Sequence, residues 1–136
     1  MKTMYNVKGL ESFKQLIDIS TKKYSSRTAF LIRQDNGKYK KIKYKELGQR
    51  YYSLCSYFIS QGLQGKYIAV VGNNCFEWAL SYLAAASVGT VVPLDKELSI
   101  EDIDNFLNYA RVDAVCGDEK ILSKIAFESN QPRLFF

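Results

Sequence analysis

Histidine is absent from this chain of 136 residues, and cysteine and proline are scarce, with three and two residues respectively. Without an imidazole, the chain cannot form a Ser-His-Asp triad, a Cys-His pair or a histidine metal site. Its cysteines, Cys55, Cys75 and Cys116, are odd in number, far apart and set among apolar residues. This usage predicts reduced core thiols in a reducing compartment, so we expect a cytoplasmic protein.

Long hydrophobic runs are also missing. The longest, Trp78 to Ala86, is interrupted by Ser81, and the first six residues contain no apolar stretch of a secretory signal. The composition, with 47% apolar and 24% charged residues, is that of a soluble globular protein. We expect no transmembrane segment, and the length predicts one domain without an internal boundary.

Charge is distributed unevenly along the chain. Residues 1–66 carry fourteen Lys or Arg and four acids (+10), whereas residues 67–136 carry five and ten (−5). Five lysines fall within Lys38–Lys45, with aromatic residues between them. That pattern is typical of a surface that binds phosphates or nucleic acid, and equally of a solvated hairpin whose lysines discourage edge-to-edge pairing. We favour the hairpin and expect no nucleic-acid partner, because no nucleic-acid-binding motif accompanies the lysines.

The first half of the chain predicts a helix, an antiparallel β-hairpin and a second helix. Apolar residues at helical spacing mark both helices, Ser12 is suited to cap the first, and Gly62 to end the second in the left-handed conformation. Turn residues at Asp35–Gly37 join two short strands. The predicted bounds are 10–23 and 44–61 for the helices, and 29–32 and 38–43 for the strands.

The second half predicts a parallel sheet. Tyr67–Val71 has no polar alternation, as expected of a strand that is buried on both faces. Two more short strands, Thr90–Val92 and Ala114–Cys116, follow after helical patterns at about 75–88 and from Ser99 onward. Ser99 is suited to cap the second of these helices, whose apolar face consists of Ile103, Phe106, Leu107 and Ala110. The predicted class is α/β: a partial parallel sheet with flanking helices (βαβαβ), preceded by a helix and an antiparallel β-hairpin.

The helix at 75–88 carries further expectations. Asn74 and Glu77 have the spacing of a capping box, and the helix is apolar nearly all round, which predicts that it is buried with Trp78 in the core. Asn73 and Asn74 also follow a parallel strand, where α/β proteins tend to bind ligands. Capping alone would explain them.

Other candidate sites have simpler structural explanations. The Gly62–Lys66 segment lacks the spacing and the strand-to-helix context of a phosphate loop, so a turn is predicted. Cys75 has no basic partner, which favours inert packing over a reactive thiol. Acids near the fourth predicted helix favour its positive dipole end rather than a metal; they are Asp95, Glu97, Glu101, Asp102 and Asp104. No residue is therefore assigned as catalytic, cofactor-binding or metal-ligating.

Several segments together resemble a known family. They occur in this order: Ala29–Ile32, Tyr44–Leu47, Gly62–Val70, Asn73–Trp78 and Gly89–Asp95. The series resembles the N-terminal segment of the adenylate-forming ligases, the AMP-dependent synthetases that include acyl-CoA synthetases, peptide-synthetase adenylation domains and firefly luciferase. Glu77-Trp78 and Pro93-Leu94-Asp95 are most similar to long-chain fatty-acid CoA ligases.

The resemblance implies a function for a longer parent protein. Such a ligase, acting in fatty-acid metabolism, would use ATP, Mg²⁺ and CoA to convert a carboxylic acid into an acyl-adenylate and then an acyl-CoA thioester. The Ser/Thr/Gly-rich phosphate loop of the family, ending in Pro-Lys-Gly, does not occur in this sequence, and Lys43 stands where the family often has a capping Thr. Arg133–Phe136 is typical of the start of a strand. We therefore expect residues 1–136 to be the N-terminal, truncated portion of the large domain, an inactive scaffold prone to self-association.

Two alternatives come from other functional classes. The chain could be a small anion- or nucleic-acid-binding module that uses the Lys38–Lys45 hairpin, or a structural oligomerisation domain. The first alternative predicts binding that weakens steeply with salt.

Overall fold

The computed structural model describes residues 9–126 and 132–136. These residues form a mixed α/β structure of five helices and six strands. In chain order, the elements are α1 (Phe13–Lys23), β1 (Thr28–Arg33), β2 (Tyr39–Lys43), α2 (Tyr44–Ser60), β3 (Tyr67–Val71), α3 (Phe76–Val88), β4 (Thr90–Leu94), α4 (Ile100–Tyr109), β5 (Ala114–Gly117), α5 (Glu119–Leu122) and β6 (Arg133–Phe135).

Four strands form a parallel sheet in the order β4-β3-β5-β6, which confirms the predicted class. Ala69 on β3 lies between Val92 on β4 and Val115 on β5. The chain moves from β3 to β4 in one direction and then crosses back to β5 in the other. Because both crossovers are right-handed by the usual rule, their helices are expected on opposite faces of the sheet.

The packing follows this expectation, since each face of the sheet has its own core. Ile68 and Val70 of β3 pack on the face covered by α1, α2 and α3. Ala69 and Val71 point the other way, into a core that contains Ile103 of α4 and residues of α5. Burial on both faces explains why β3 shows no polar alternation.

The hairpin β1–β2 packs against the α3 side of the molecule. Ile42 of β2 is fully buried, and its cross-strand partner Phe30 meets the ring of Phe76 edge-on at 5.1 Å between ring centroids. Gly37 takes a positive φ of 76° in the turn, where a glycine is the least strained residue. The predicted hairpin and its turn are thus confirmed.

The predicted caps are confirmed at two helices and wrong at a third. Ser12 Oγ accepts from the backbone N–H of Gln15 at 3.1 Å, and Ser99 Oγ accepts from that of Asp102 at 3.0 Å. At α3, however, the N-cap is Cys75, whose Sγ accepts from Trp78 N at 3.4 Å. The capping box with Asn74 was therefore wrong, because the helix begins one residue later than that pattern requires.

Three predictions about burial need correction. Cys75 is exposed and Cys55 half-buried, so Cys116 alone of these thiols is a core residue. One face of α3 is buried, but Trp78 packs against this core only in part and is half-buried. Phe106 of α4 is 48% exposed, although its spacing placed it on the apolar face.

Strand β4 ends at Leu94, two residues past the predicted end at Val92. Pro93 lies inside the strand, opposite Val70 of β3. Because β4 is an edge strand, a residue without an N–H is tolerated there.

Candidate functional site

The order in which the chain adds strands to the sheet reverses between β3 and β5. The connection after β3 leads to β4 on one side of this pair, and the connection after β5 leads to β6 on the other. Such a topological switch point is where open α/β sheets bind ligands. The residues that follow the two strands there are Gly72 and Asp118.

The switch point is bridged by side chains of the chain itself. Asn73 Nδ2 donates a hydrogen bond of 3.1 Å to Asp118 Oδ2, while Oδ1 accepts one of 3.0 Å from Lys120 N. A side chain at Gly72 would lie 3.2 Å from both Asp118 N and the ring of Phe136. The space between the two strand ends is therefore filled, and Asn73 is a bridging residue rather than a cap.

Open space lies beside the switch point, in two grooves that share Asn74 and Trp78. The first, which we call the hairpin groove, has a volume of about 710 Å³ and separates β1 from the start of α3. It is lined by Phe30, Leu31, Ile32, Arg33, Asn74, Cys75, Phe76, Trp78 and Ala79. The second, the edge groove, has a volume of about 310 Å³ at the end of β4 and is lined by Gly72, Asn74, Trp78, Pro93, Leu94, Asp95 and Lys96.

Trp78 is the one aromatic side chain that lines both grooves. Its ring stacks on Tyr82 at 5.5 Å between centroids, with 20° between the ring planes. The half-buried position corrects the expectation of a core tryptophan and leaves part of the indole available to a ligand. Together with the Asn74 amide and the exposed Arg33 guanidinium, it gives the hairpin groove an apolar wall and a polar rim.

Burial, not activation, dominates the chemistry of the thiols. Desolvation raises the pKa of Cys75, and the hydrogen bond from Trp78 N lowers it by less. The pKa of the buried Cys116 rises to about 12 for the same reason. Both thiols are therefore protonated at neutral pH.

The acidic residues near α4 have local structural roles. Asp95 Oδ1 accepts from Glu97 N at 2.9 Å, and Asp104 accepts from the backbone N–H of Ala126. Glu101 and Asp102 occupy the first turn of α4. Across residues 9–126 and 132–136, no cluster of three or more Cys, Asp or Glu side chains is arranged to hold a metal.

The Gly62–Lys66 segment is a turn, as predicted. Gly65 N donates to Val88 O at 2.9 Å, and Lys66 O accepts from Thr90 N at 2.9 Å. These bonds tie the turn to the amino-terminal end of β4, opposite the grooves.

The sequence of residues 17–134 matches the AMP-binding enzyme family. The chain belongs to this family. The resemblance on which the sequence analysis relied is therefore confirmed over most of the chain.

A curated relative and solved structures are similar to this AMP-binding family member. Long chain acyl-CoA synthetase 2 of Arabidopsis thaliana is 34% identical over 91 residues, which cover 65% of this chain and 14% of the relative. A nonribosomal peptide synthetase structure in an α-methyl-L-serine-AMP bound form has a TM-score of 0.78 at 14% identity, over 95% of this chain and 14% of that one. The structure of the N-terminal subdomain of NpsA from Klebsiella oxytoca has a TM-score of 0.75 at 20% identity, over 93% of this chain and 32% of that one. These structures share the fold.

The grooves were not predicted from the sequence, because the walls of each come from segments that are distant along the chain. The separation exceeds forty residues in the hairpin groove and is about fifteen in the edge groove. The one local signal was the position of Asn74 after a buried parallel strand. No helix within the described residues is both long and apolar enough to span a membrane.

Proposed function

We propose that this chain is the N-terminal scaffold of an ATP-dependent acyl-CoA synthetase. In this proposal, the longer protein converts a carboxylic acid and ATP into an acyl-adenylate and then transfers the acyl group to CoA. The observation that carries it is the 34% identity to a long chain acyl-CoA synthetase. The chain spans 14% of that relative's length, so the activity belongs to the longer protein.

The described residues do not fit a site for ATP phosphates or Mg²⁺. The backbone amide of Gly65 is already bonded to Val88, and Asp95 and Asp104 are engaged by backbone N–H groups. We therefore assign to this chain no contact with phosphate or metal. Its role in the proposal is to hold the carboxyl edge of the sheet, with the two grooves, against the remainder of the protein.

The hairpin groove has a mostly apolar wall beside a cationic rim. This arrangement supports, as the substrate class, carboxylic acids that carry an apolar chain. Phe30, Ile32 and Trp78 supply the apolar surface of the hairpin groove, and Arg33 lies at its rim. Burial of an acyl chain against such surface is favourable in proportion to the apolar area removed from water.

ATP-pyrophosphate exchange tests the proposal directly. The longer protein should catalyse exchange with fatty acids, and residues 1–136 alone should melt cooperatively yet give no exchange and no thermal shift with Mg-ATP. Exchange by residues 1–136 above a no-protein control would contradict the scaffold role. Exchange that depends on amino acids instead of fatty acids would contradict the substrate class while leaving the family assignment intact.

A further inference from the structure

The outer face of the β-hairpin joins cations to two large apolar side chains. Side chains directly opposite each other on paired strands lie on one face, and successive residues alternate between faces. Ile42 is 0% exposed and points inward, so its neighbours Lys41 and Lys43 point outward. The cross-strand partners on this outer face are Leu31 with Lys41 and Arg33 with Tyr39.

The two apolar residues of this face are neighbours and are both open to solvent. Leu31 is 60% exposed and Tyr39 is 61% exposed. The register places them diagonally across the two strands, a separation that long side chains can bridge. Leu31, Arg33, Tyr39, Lys41 and Lys43 therefore form one continuous surface, which we call the hairpin face. At β1 this face borders the hairpin groove, whose lining also includes Leu31 and Arg33.

The charge of the hairpin face is not neutralised by ion pairs among the residues that the structure describes. Residues 27–45 carry seven Lys or Arg and one acid, Asp35, a net charge of +6. Some cations elsewhere do form ion pairs, such as Lys14 with Asp18 and Arg50 with Glu46. Within the described residues, no ion pair involves Arg33 or a lysine of the segment 38–45.

We propose that the hairpin face binds the surface of an anionic lipid bilayer. Lysine and arginine are attracted to acidic headgroups, and tyrosine and leucine can enter the interface between headgroups and acyl chains. A purely solvated hairpin would explain the lysines but not the two exposed, diagonally placed apolar side chains of Leu31 and Tyr39. Nucleic acid would engage the lysines and could stack on Tyr39, but the phosphate backbone that lysines contact offers no apolar environment for Leu31.

Vesicle sedimentation of the full chain tests this binding. We expect the chain to sediment with phosphatidylglycerol-containing vesicles, not with pure phosphatidylcholine vesicles, and to be released by raised salt. Absence of binding to the anionic vesicles, or equal binding to both, would overturn the proposal. This result is independent of the acyl-CoA synthetase proposal, because it does not measure catalysis.

Two variants separate the electrostatic from the apolar contribution. Lys41→Glu combined with Lys43→Glu should lower vesicle partitioning roughly a hundredfold or more. The matched control is Lys120→Glu with Lys124→Glu, which makes the same charge change at exposed positions distant in sequence. Equal losses in the two double variants would show a response to net charge alone and would overturn a role for the hairpin face.

Leu31→Ser is the variant that distinguishes a bilayer from nucleic acid. It keeps every charge and should lower vesicle partitioning roughly tenfold, while binding to a labelled oligonucleotide stays unchanged. If Leu31→Ser leaves vesicle binding unchanged, or if the wild-type chain prefers the oligonucleotide, the lipid proposal is wrong. Circular dichroism melts establish that the variants are folded, and the salt dependence of the wild-type chain provides a test that needs no variant.

Discussion

Strands β2 and β3 have the same length but opposite surroundings. β2 reads Tyr-Lys-Lys-Ile-Lys and buries one residue, Ile42, whereas β3 reads Tyr-Ile-Ala-Val-Val and buries its last four. The hairpin has helices and core on one side and solvent on the other, while β3 lies at the centre of a sheet covered on both faces. The contrast shows how layer position, more than strand propensity, decides which residues a strand contains.

This contrast predicts that the two regions differ in tolerance to substitution. The parallel sheet should hold most of the stability, because its side chains are removed from water on both faces. The outer side of the hairpin should be free to vary, or to serve binding.

Truncating one apolar residue in each region gives the largest expected difference. Ile68→Ala in β3 should lower the free energy of unfolding by about 2–5 kcal/mol, because it leaves a cavity in a fully buried site. Leu31→Ala on the hairpin face should change it by less than about 0.5 kcal/mol. Urea denaturation measures both, and similar losses would show that Leu31 is covered in solution.

Adding one methyl group at a glycine tests the same contrast at the ends of strands. At Gly89, a Cβ would overlap the carbonyl oxygen of Lys66, so Gly89→Ala should cost up to about 3 kcal/mol. Gly37 has open space around it, and Gly37→Ala should cost about 1 kcal/mol for its positive φ alone. Thermal melts of the two variants would contradict this ranking if Gly37→Ala were the less stable.

Two adjacent tyrosines on α2 sharpen the comparison between covered and open positions. The hydroxyl of Tyr51 donates a 2.7 Å hydrogen bond to Ser87 Oγ of α3, whereas Tyr52 is exposed. Tyr51→Phe should lower the free energy of unfolding by about 1 kcal/mol, whereas Tyr52→Phe should leave it nearly unchanged. Burial also raises the pKa of Tyr51, so its ionisation in an alkaline absorbance titration should occur above the ordinary tyrosine range.

The smallest effect is expected at the start of α3. Cys75→Ala removes a weak sulfur cap and should lower the free energy of unfolding by about 0.5 kcal/mol. Asn74→Ala should change it by no more than about 0.3 kcal/mol. Because oxygen is the better acceptor, Cys75→Ser should stabilise the helix slightly. A larger loss for Asn74→Ala than for Cys75→Ala would restore Asn74 as the cap.

Most elements of the fold could be predicted from local patterns. Ser12 and Ser99 cap the helices that they were expected to cap, and Gly62 ends α2 with a positive φ of 73°. The unbroken apolar run of Tyr67–Val71 correctly indicated a strand inside a parallel sheet. These signals succeed because each depends on neighbours within a few residues.

Apart from the cap of α3, which was wrong by one residue, predictions failed where the deciding neighbour is distant in sequence. Nothing near Trp78 shows that β1 stands opposite it across a groove, and nothing near Phe106 shows that α4 leaves that side open. Asn73 resembles a cap locally but bonds to Asp118, forty-five residues away. The candidate site is made of such contacts, which explains why it could not be derived from spacing.

Pro93 has a consequence for the direction in which the sheet can grow. A proline inside a strand is tolerated where its missing donor would have faced away from the neighbouring strand, so the gap belongs to the free edge of β4. An incoming strand would meet an interrupted ladder there, whereas Arg133–Phe135 at the opposite edge contains no proline. The two edges of the sheet therefore differ: β4 resists the addition of further strands, and β6 can accept them.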